Sequence, residues 1–392
     1  MKANKLSALI APAFFLVVSH QASAFYYSGN VYAMNNNQTD NEVIVYERKS
    51  DGKLALIDKV STGGLGGVNA EGALDDALGS QNPLVLSRNG RCLFAVNAGD
   101  DTVTSFIIHR KKFSEHSIKR VGKVSSGGAF PVSIANNRDL LYVLNSGGEG
   151  NISGFSVSRS CQLSKLEGSE RTLNAAGLNP PSFIDSPAQV SFVPGGRGLL
   201  VTIKSSDQLL YFPLDENELP AQESSVTQSN GRVPFGFSFF KNNLLVAEAF
   251  GNATSIPSPN AGAVSSYAIL PDGELKLQSA SVENGQTATC WMASSRFIPY
   301  SYATNNLSDS ITGYKVDSRT GVLSLLDSDG ITAETDESPV DLAITYDARY
   351  LYNVNATAGT VTGYAIDRKN GSLRSVGSFG GLEEGAVGIA VW

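Results

Sequence analysis

The chain is built from a repeat of about fifty residues, and this repeat restricts the possible folds more than any other feature. Each copy predicts four short strands, because alternating apolar segments are separated by glycine, asparagine and proline turn signals. Four antiparallel strands per repeat are typical of a β-propeller blade. The complete copies lie at residues 82–108, 130–157, 186–214, 233–269, 289–316 and 338–366.

The two ends of the chain supply one further blade. Residues 29–60 contain a second, third and fourth strand, and residues 385–392 contain a first strand with nothing after it. Joining them closes the ring and hides two strand edges. The sequence therefore predicts an all-β fold, a seven-bladed β-propeller with a composite closing blade made from the N- and C-terminal strands. We expect one domain over residues 25–392.

The N-terminus has the features of a signal peptide. Lys2 and Lys5 precede the apolar run Leu6–Val18, and Ala22-Ser23-Ala24 matches an A-x-A cleavage site. We expect a signal peptide at 1–24, cleaved near Ala24, and a periplasmic or secreted protein. The run is too short to span a bilayer, so no membrane partner is expected.

Charge and cysteine content narrow the function further. The formal net charge is −7, and an acidic surface repels phosphate backbones, so no nucleic-acid partner is expected. Cys92, Cys161 and Cys290 lack C-x-x-C spacing, so they predict no metal site. Their odd number favours packed thiols, and one disulfide in an oxidising compartment is left open. We expect a monomer without cofactor.

Histidine is nearly absent from the chain. His109 and His116 fall on the outer hairpin of one predicted blade, far from the axis of the propeller. A Ser-His-Asp triad or a histidine-rich metal centre is therefore not expected.

Residues 61–81, STGGLGGVNAEGALDDALGSQ, do not fit the repeat. They lack the G-K-[ST] ending and the following helix of a phosphate-binding loop. Long ordered loops tend to carry function, so this segment predicts a functional loop on the rim.

Equivalent residues of the blades form rings around the axis of a propeller. Asparagine at the end of the second strand suits a turn, because its side chain bonds nearby backbone groups. Lys204 and Glu248 depart from this pattern. They form either a salt bridge between blades, or a general base (Glu248) beside an oxyanion-stabilising cation (Lys204). The aligned positions are Asn35, Asn97, Asn145, Lys204, Glu248, Asn305 and Asn355.

A second ring lies on the first strands, two residues after the position of the repeat's proline. If strand alternation points it inward, Trp291 offers the channel a flat apolar wall; if not, Trp291 belongs to the core between blades. The ring contains Val85, Ser133, Gln189, Gly236, Trp291, Asp341 and Gly388. The candidate substrate-binding residues are Gln189, Trp291, Asp341, Gln81 and Ser133.

Several segments resemble the seven-bladed propeller lactonase family, which includes 6-phosphogluconolactonases and carboxymuconate-lactonising enzymes. They include GSQNPLVLSRNGRCLFAVNAG (79–99), PVSIANNRDLLYVLNSGGEGNISGF (131–155) and TATCWM (287–292), and the resemblance covers residues 29–392. More narrowly, the chain resembles the exported bacterial branch. The resemblance implies hydrolysis of a sugar-type or muconate-type lactone without a metal, and a small-molecule lactone or carbohydrate-like ligand.

Two functions are compatible with these observations. In the first, an exported lactonase-like hydrolase lets water attack the lactone carbonyl. Glu248 then assists as the base, and Lys204 with Gln189 stabilises the oxyanion. The alternative is a non-enzymatic propeller that binds a small molecule, glycan or protein partner through the rim loops around 61–81 and 250–262.

Overall fold

The computed structural model describes residues 29–110, 116–175 and 177–392, so the predicted signal peptide lies outside the described residues. Seven antiparallel sheets follow one another along the chain. Blade 1 contains β1 (Gly29–Met34), β2 (Glu42–Arg48) and β3 (Leu54–Ser61). Blade 2 contains β4 (Leu84–Leu86), β5 (Cys92–Asn97), β6 (Thr102–Arg110) and β7 (His116–Ser125). Blade 3 contains β8 (Pro131–Asn137), β9 (Leu140–Asn145), β10 (Asn151–Val157), β11 (Leu163–Lys165) and β12 (Arg171–Thr172).

The remaining blades repeat this arrangement. Blade 4 contains β13 (Pro187–Phe192), β14 (Gly198–Ile203), β15 (Gln208–Pro213) and β16 (Ser225–Gln228). Blade 5 contains β17 (Pro234–Phe240), β18 (Asn243–Glu248), β19 (Ala263–Ile269) and β20 (Leu275–Glu283). Blade 6 contains β21 (Thr289–Ser294), β22 (Tyr300–Asn305), a 3-10 turn (Asn306–Ser308), β23 (Ser310–Val316), β24 (Leu323–Leu325) and β25 (Ala333–Glu334). Blade 7 contains β26 (Pro339–Ile344), β27 (Tyr350–Asn355), β28 (Thr360–Ile366) and β29 (Leu373–Gly380), and β30 (Val387–Val391) returns to blade 1.

The ring closes through strands from opposite ends of the chain. β30 pairs antiparallel with β1, with Tyr32 opposite Ala390 and Ala33 opposite Ile389. The first strands contact one another in the order β4, β8, β13, β17, β21, β26, β30 and back to β4. The predicted seven-bladed propeller with a composite closing blade is therefore confirmed.

The second strands form the core. All six residues of β5, β9 and β22 are buried, because neighbouring blades cover both faces of these strands. Continuous apolar sequence is expected for strands covered on both sides. Each fully buried side chain such as Leu93 or Phe94 contributes about 1.5–3 kcal/mol of hydrophobic stabilisation.

The cysteines divide into one pair and one thiol. Cys92 and Cys161 form a disulfide between blades 2 and 3, whereas Cys290 is free and buried. The disulfide that the sequence left open therefore exists, and only Cys290 is a packed thiol. The bridge joins residues 69 positions apart, and a closed loop of that length stabilises a fold by about 4 kcal/mol in the chain-entropy model.

The propeller has two faces, which we name by their turns. The upper face holds the turns between second and third strands, and those between a fourth strand and the next blade. The lower face holds the turns between first and second strands and between third and fourth strands. Over the described ranges, no helix has the length and apolar character needed to cross a membrane.

Candidate functional site

The strand register corrects one position of the second-strand ring. The last residue of the second strand pairs with the first of the third strand in every complete blade, for example Asn97 with Thr102 and Glu248 with Ala263. In blade 4 the residue at this position is Ile203, which pairs with Gln208. Lys204 lies one residue further along, so the prediction that it belongs to this ring is wrong. A shift of one residue turns a side chain to a different side of a strand.

The asparagines of the ring are structural, as the sequence predicts. Asn97 donates a hydrogen bond to the Thr104 hydroxyl at 3.0 Å. Asn355 makes the same contact with Thr362 at 3.1 Å. Each of these bonds fastens the second strand to the third within one blade.

Glu248 occupies the asparagine position of blade 5 and is fully buried. Its Oε1 accepts hydrogen bonds from the Gly231 amide at 2.8 Å and the Ser229 hydroxyl at 3.3 Å. Its Oε2 accepts one from the Ser281 hydroxyl at 2.7 Å. Burial raises the pKa of Glu248, and the hydroxyl and amide donors, Ser265 among them, partly offset that rise. The carboxylate is thus surrounded by neutral donors from blade 5 and from the connection that precedes it.

Lys204 lies in a different environment at the upper mouth of the channel. Its Nζ donates a hydrogen bond of 2.7 Å to the Gly79 carbonyl and lies over the rings of Phe183 and Phe235, at 4.2 and 4.8 Å from their centroids. Burial lowers the pKa of Lys204, while the nearby Asp76 carboxylate opposes that shift. No ion pair joins Lys204 to Glu248 among the described residues, so the structure does not bring these two together.

Asp76 is the acidic neighbour of Lys204 that the sequence did not single out. Its side chain accepts a hydrogen bond from the Gly79 amide at 3.0 Å, and it is 8% exposed. Burial raises the pKa of Asp76, whereas the charge of Lys204 lowers it. Burial and the charge of Asp76 also raise the pKa of the Cys290 thiol well above its usual value. Asp75 and Asp76 are adjacent acidic residues in a glycine-rich loop, which is a sequence feature of interest. The sequence does not show that this loop comes near Lys204.

Residues 61–81, which we call the mouth loop, cross the channel mouth instead of standing on its rim. The Asn36 side chain of blade 1 donates to the Gly67 carbonyl at 2.7 Å. A Cβ at Gly66 would lie 1.9 Å from the Asn36 carbonyl oxygen, so only glycine permits this approach. The loop also contacts blades 3, 4 and 6 through Ser80 to Val132, Gln81 to Ala188 and Asn306 to Asp75.

Gln81 and Trp291 meet at the centre of the channel. The Gln81 side chain donates to the Met292 carbonyl at 2.8 Å and accepts from the Met292 amide at 2.9 Å. Trp291 donates from Nε1 to the Ser80 carbonyl at 2.7 Å. These contacts join the mouth loop to the first strand of blade 6. The buried Trp291 ring thus contacts the mouth loop and also packs on the Phe235 ring of blade 5, with centroids 4.9 Å apart, so it has features of both alternatives.

Asp341 also faces the channel. Its Oδ2 accepts a hydrogen bond from the Asn82 amide at 3.0 Å, and its Oδ1 accepts one from the Leu342 amide at 3.1 Å. Burial raises the pKa of Asp341 to about 7, because two amide donors only partly compensate the lost water.

Gln189 and Ser133 connect neighbouring first strands. Gln189 accepts from the Phe237 amide at 2.6 Å and donates to the Phe237 carbonyl at 3.1 Å. The Ser133 hydroxyl accepts from the Val190 amide at 3.3 Å. Both side chains are buried and held by backbone groups. The structure thus groups Lys204, Gln81, Trp291 and Asp341 around residues 79–82, and leaves Glu248 apart from them.

Comparison with known proteins identifies the family. A family model described as "Lactonase, 7-bladed beta-propeller" matches residues 69–387. The chain belongs to this family. No curated protein matches it. The described residues contain no group of three or more His, Cys, Asp or Glu side chains that could hold a metal ion.

Solved structures of distant sequence share the lactonase-family fold. A proposed 6-phosphogluconolactonase from Bacteroides uniformis has a TM-score of 0.70 at 18% identity, over 93% of this chain and 99% of that one. The periplasmic gluconolactonase of Pseudomonas aeruginosa has a TM-score of 0.67 at 15% identity, with the same coverage of 93% and 99%. At such identities the likeness concerns the fold.

Proposed function

We propose that this lactonase-family propeller hydrolyses a sugar-type or muconate-type lactone at the upper mouth of its channel. The observation that carries the proposal is the buried Lys204 amine, held at the mouth with Asp76 beside it. Buried groups whose pKa values shift toward neutrality are typical of reaction centres. Within this family, such a pair suits acyl transfer from a ring ester to water.

The chemistry requires three events. A proton leaves the attacking water, negative charge grows on the carbonyl oxygen, and a proton reaches the ring oxygen as the C–O bond breaks. Asp76 as a carboxylate takes the proton of water and returns it to the ring oxygen as the C–O bond breaks, and Lys204 as an ammonium stabilises the oxyanion. The product is the open hydroxy acid. This assignment replaces Glu248 by Asp76 as the base, because Asp76 is the carboxylate with the largest influence on the pKa of Lys204.

The mouth loop occupies the substrate position in the closed state. The Gly79 carbonyl oxygen lies 2.7 Å from Lys204 Nζ, where the carbonyl oxygen of a lactone would bind. The Ser80 carbonyl likewise accepts the hydrogen bond that the Trp291 indole donates. Withdrawal of residues 79–80 would free both donors for substrate, and Gln81 and Asp341 would remain as walls of the site.

Export to the periplasm or beyond is part of the proposal. The Cys92–Cys161 disulfide supports it, because such bridges persist in oxidising compartments. N-terminal sequencing of protein from an intact-cell fraction tests it. A mature chain beginning near Phe25 is expected, and a cytoplasmic chain that retains Met1 would contradict it.

Lactone opening is measured by pH-stat on gluconolactone, its 6-phosphate and muconolactone. Lys204→Met is expected to lower the rate by about 100-fold or more, the range measured for loss of one oxyanion donor. Asp76→Asn should lower it comparably. Glu248→Gln is the matched control, since it changes an equally buried charge outside the mouth. Absence of turnover on every lactone, or full activity of Lys204→Met, would overturn the proposal.

A second candidate is a non-enzymatic propeller that binds a small molecule, glycan or protein partner through its upper loops. It is favoured by the closed mouth, where Gln81, Trp291 and Asp341 all have protein partners. This candidate predicts a ligand retained on purification, no lactone opening, and undiminished binding in Lys204→Met.

A further inference from the structure

The lower face carries a basic residue in each turn between a first and a second strand of blades 2 to 7. This regularity contrasts with the acidic chain, whose formal net charge is −7. Only Asp139 and Asp347 bring negative charge into these turns. We call the following residues the basic turns: Arg88, Arg91, Arg138, Arg197, Lys241, Arg296 and Arg349.

Two pairs of neighbouring turns on this face contact each other, in blades 3 and 4 and in blades 6 and 7. The Asn137 side chain of blade 3 packs against Gly196 of blade 4. Arg296 of blade 6 donates a hydrogen bond to the Tyr346 hydroxyl of blade 7 at 2.6 Å. The Tyr346 ring in turn stacks on Trp392, with centroids 6.3 Å apart.

A groove of about 650 Å³ opens between blades 2 and 3 on this face. Arg88, Arg91, Arg138 and Arg159 line it, and all four are exposed, whereas Asp139 is the one carboxylate among the described residues that line it. Within the described ranges none of the four forms an ion pair with a carboxylate. The disulfide that begins at Cys92, directly after Arg91, fixes the two walls of the groove to each other.

Exposed aromatic rings lie on blades 6 and 7 of the same face. Phe297 and Tyr346 are 44% and 55% exposed, and their rings meet edge to face at 5.4 Å. The Arg296 guanidinium lies over both rings, at 4.6 and 5.4 Å from their centroids. These contacts hold two large apolar surfaces in the solvent beside a cation.

We propose that the lower face binds an anionic polysaccharide. The arginines hold its carboxylate or sulfate groups, and its sugar rings stack on Phe297 and Tyr346. The guanidinium fork matches these planar or tetrahedral anions with paired hydrogen bonds, whereas a lysine acts as a point charge. The groove is concave and fits a chain better than a flat membrane surface. Binding on this face leaves the upper mouth free.

The test measures binding of the full chain to polygalacturonate and to heparin by calorimetry. The variant Arg88→Gln/Arg91→Gln/Arg138→Gln is expected to bind both polymers at least about tenfold more weakly, since charge-assisted bonds are the strong ones. The matched control Lys59→Gln/Arg120→Gln/Lys123→Gln removes the same charge from exposed positions of outer strands that lie away from the lower-face turns, and should change affinity by less than about twofold.

A second variant separates sugar recognition from charge alone. Phe297→Ala/Tyr346→Ala should weaken binding of polygalacturonate and leave binding of polyglutamate, a polycarboxylate without sugar rings, unchanged. Three results would overturn the proposal: no binding of either polysaccharide, equal loss in the control, or tighter binding to phosphatidylglycerol vesicles than to the polysaccharides. The last result would assign the face to a membrane.

Discussion

Glu248 and Lys204 are both buried charges at the end of a second strand, in neighbouring blades. Glu248 accepts hydrogen bonds from the connection between blades 4 and 5 and from Ser281 of its own blade. Lys204 bonds the mouth loop and lies over two aromatic rings, and its pKa is influenced by Asp76. One residue of register separates the two environments. The two buried charges therefore differ in the segments that supply their partners, which is the basis for assigning the proposed site to Lys204.

The largest effect should come from removing the Glu248 side chain. Glu248→Ala leaves three buried donors without an acceptor, at Ser229, Gly231 and Ser281. Each lost partner costs about 1–3 kcal/mol, so we expect the free energy of unfolding to fall by at least about 3 kcal/mol. Urea denaturation measures it. A loss below about 1 kcal/mol would mean that the contacts of Glu248 are not structural.

The next effect concerns Asp341 and pH. Its pKa is raised from 3.8 to about 7 in the folded protein, so its contribution to stability is greatest below pH 3.8 and is lost as pH rises through 7. Over this window the free energy of unfolding should fall by up to about 4 kcal/mol less in Asp341→Asn than in the wild type. Thermal unfolding at several pH values tests this. An unchanged slope would show that Asp341 titrates normally.

The mouth loop should loosen when Lys204 is replaced. Lys204→Met removes the bond to Gly79 and the contact with two rings, together about 2 kcal/mol. Labelling of the buried Cys290 thiol should then be about 30-fold faster, because opening of the loop limits access. Equal labelling rates in wild type and variant would argue against the loop as a cover. Glu248→Gln serves as the control and should leave the rate unchanged.

The smallest effect is expected for Glu248→Gln. The amide keeps one acceptor oxygen for Gly231, and the Ser281 hydroxyl can reverse its role and accept. Stability should change by less than about 1 kcal/mol, and the lactone rate by less than twofold, as expected for a group that only holds strands together. A large loss of rate at unchanged stability would restore Glu248 as the base.

The sequence predicted the architecture well, because the repeat and the two incomplete ends leave few alternatives. It misplaced Lys204, because the polar residue nearest the strand end was aligned with asparagine although the ring position holds Ile203. Counting from Gly198, the first residue of the strand, gives the correct register. Gln81, Trp291 and Asp341 were candidate site residues from the sequence alone. Their hydrogen-bond partners could not be predicted, because these bonds depend on a loop that crosses from another blade.

The pairing of β30 with β1 determines when the ring can close during synthesis of the chain. The innermost strand of the first blade is supplied by residues near the C-terminus, so no ring exists until synthesis reaches Val391. Until then β1 presents an unpaired edge. If the chain crosses a membrane as it is made, the ring can close only after the C-terminal strand has crossed as well.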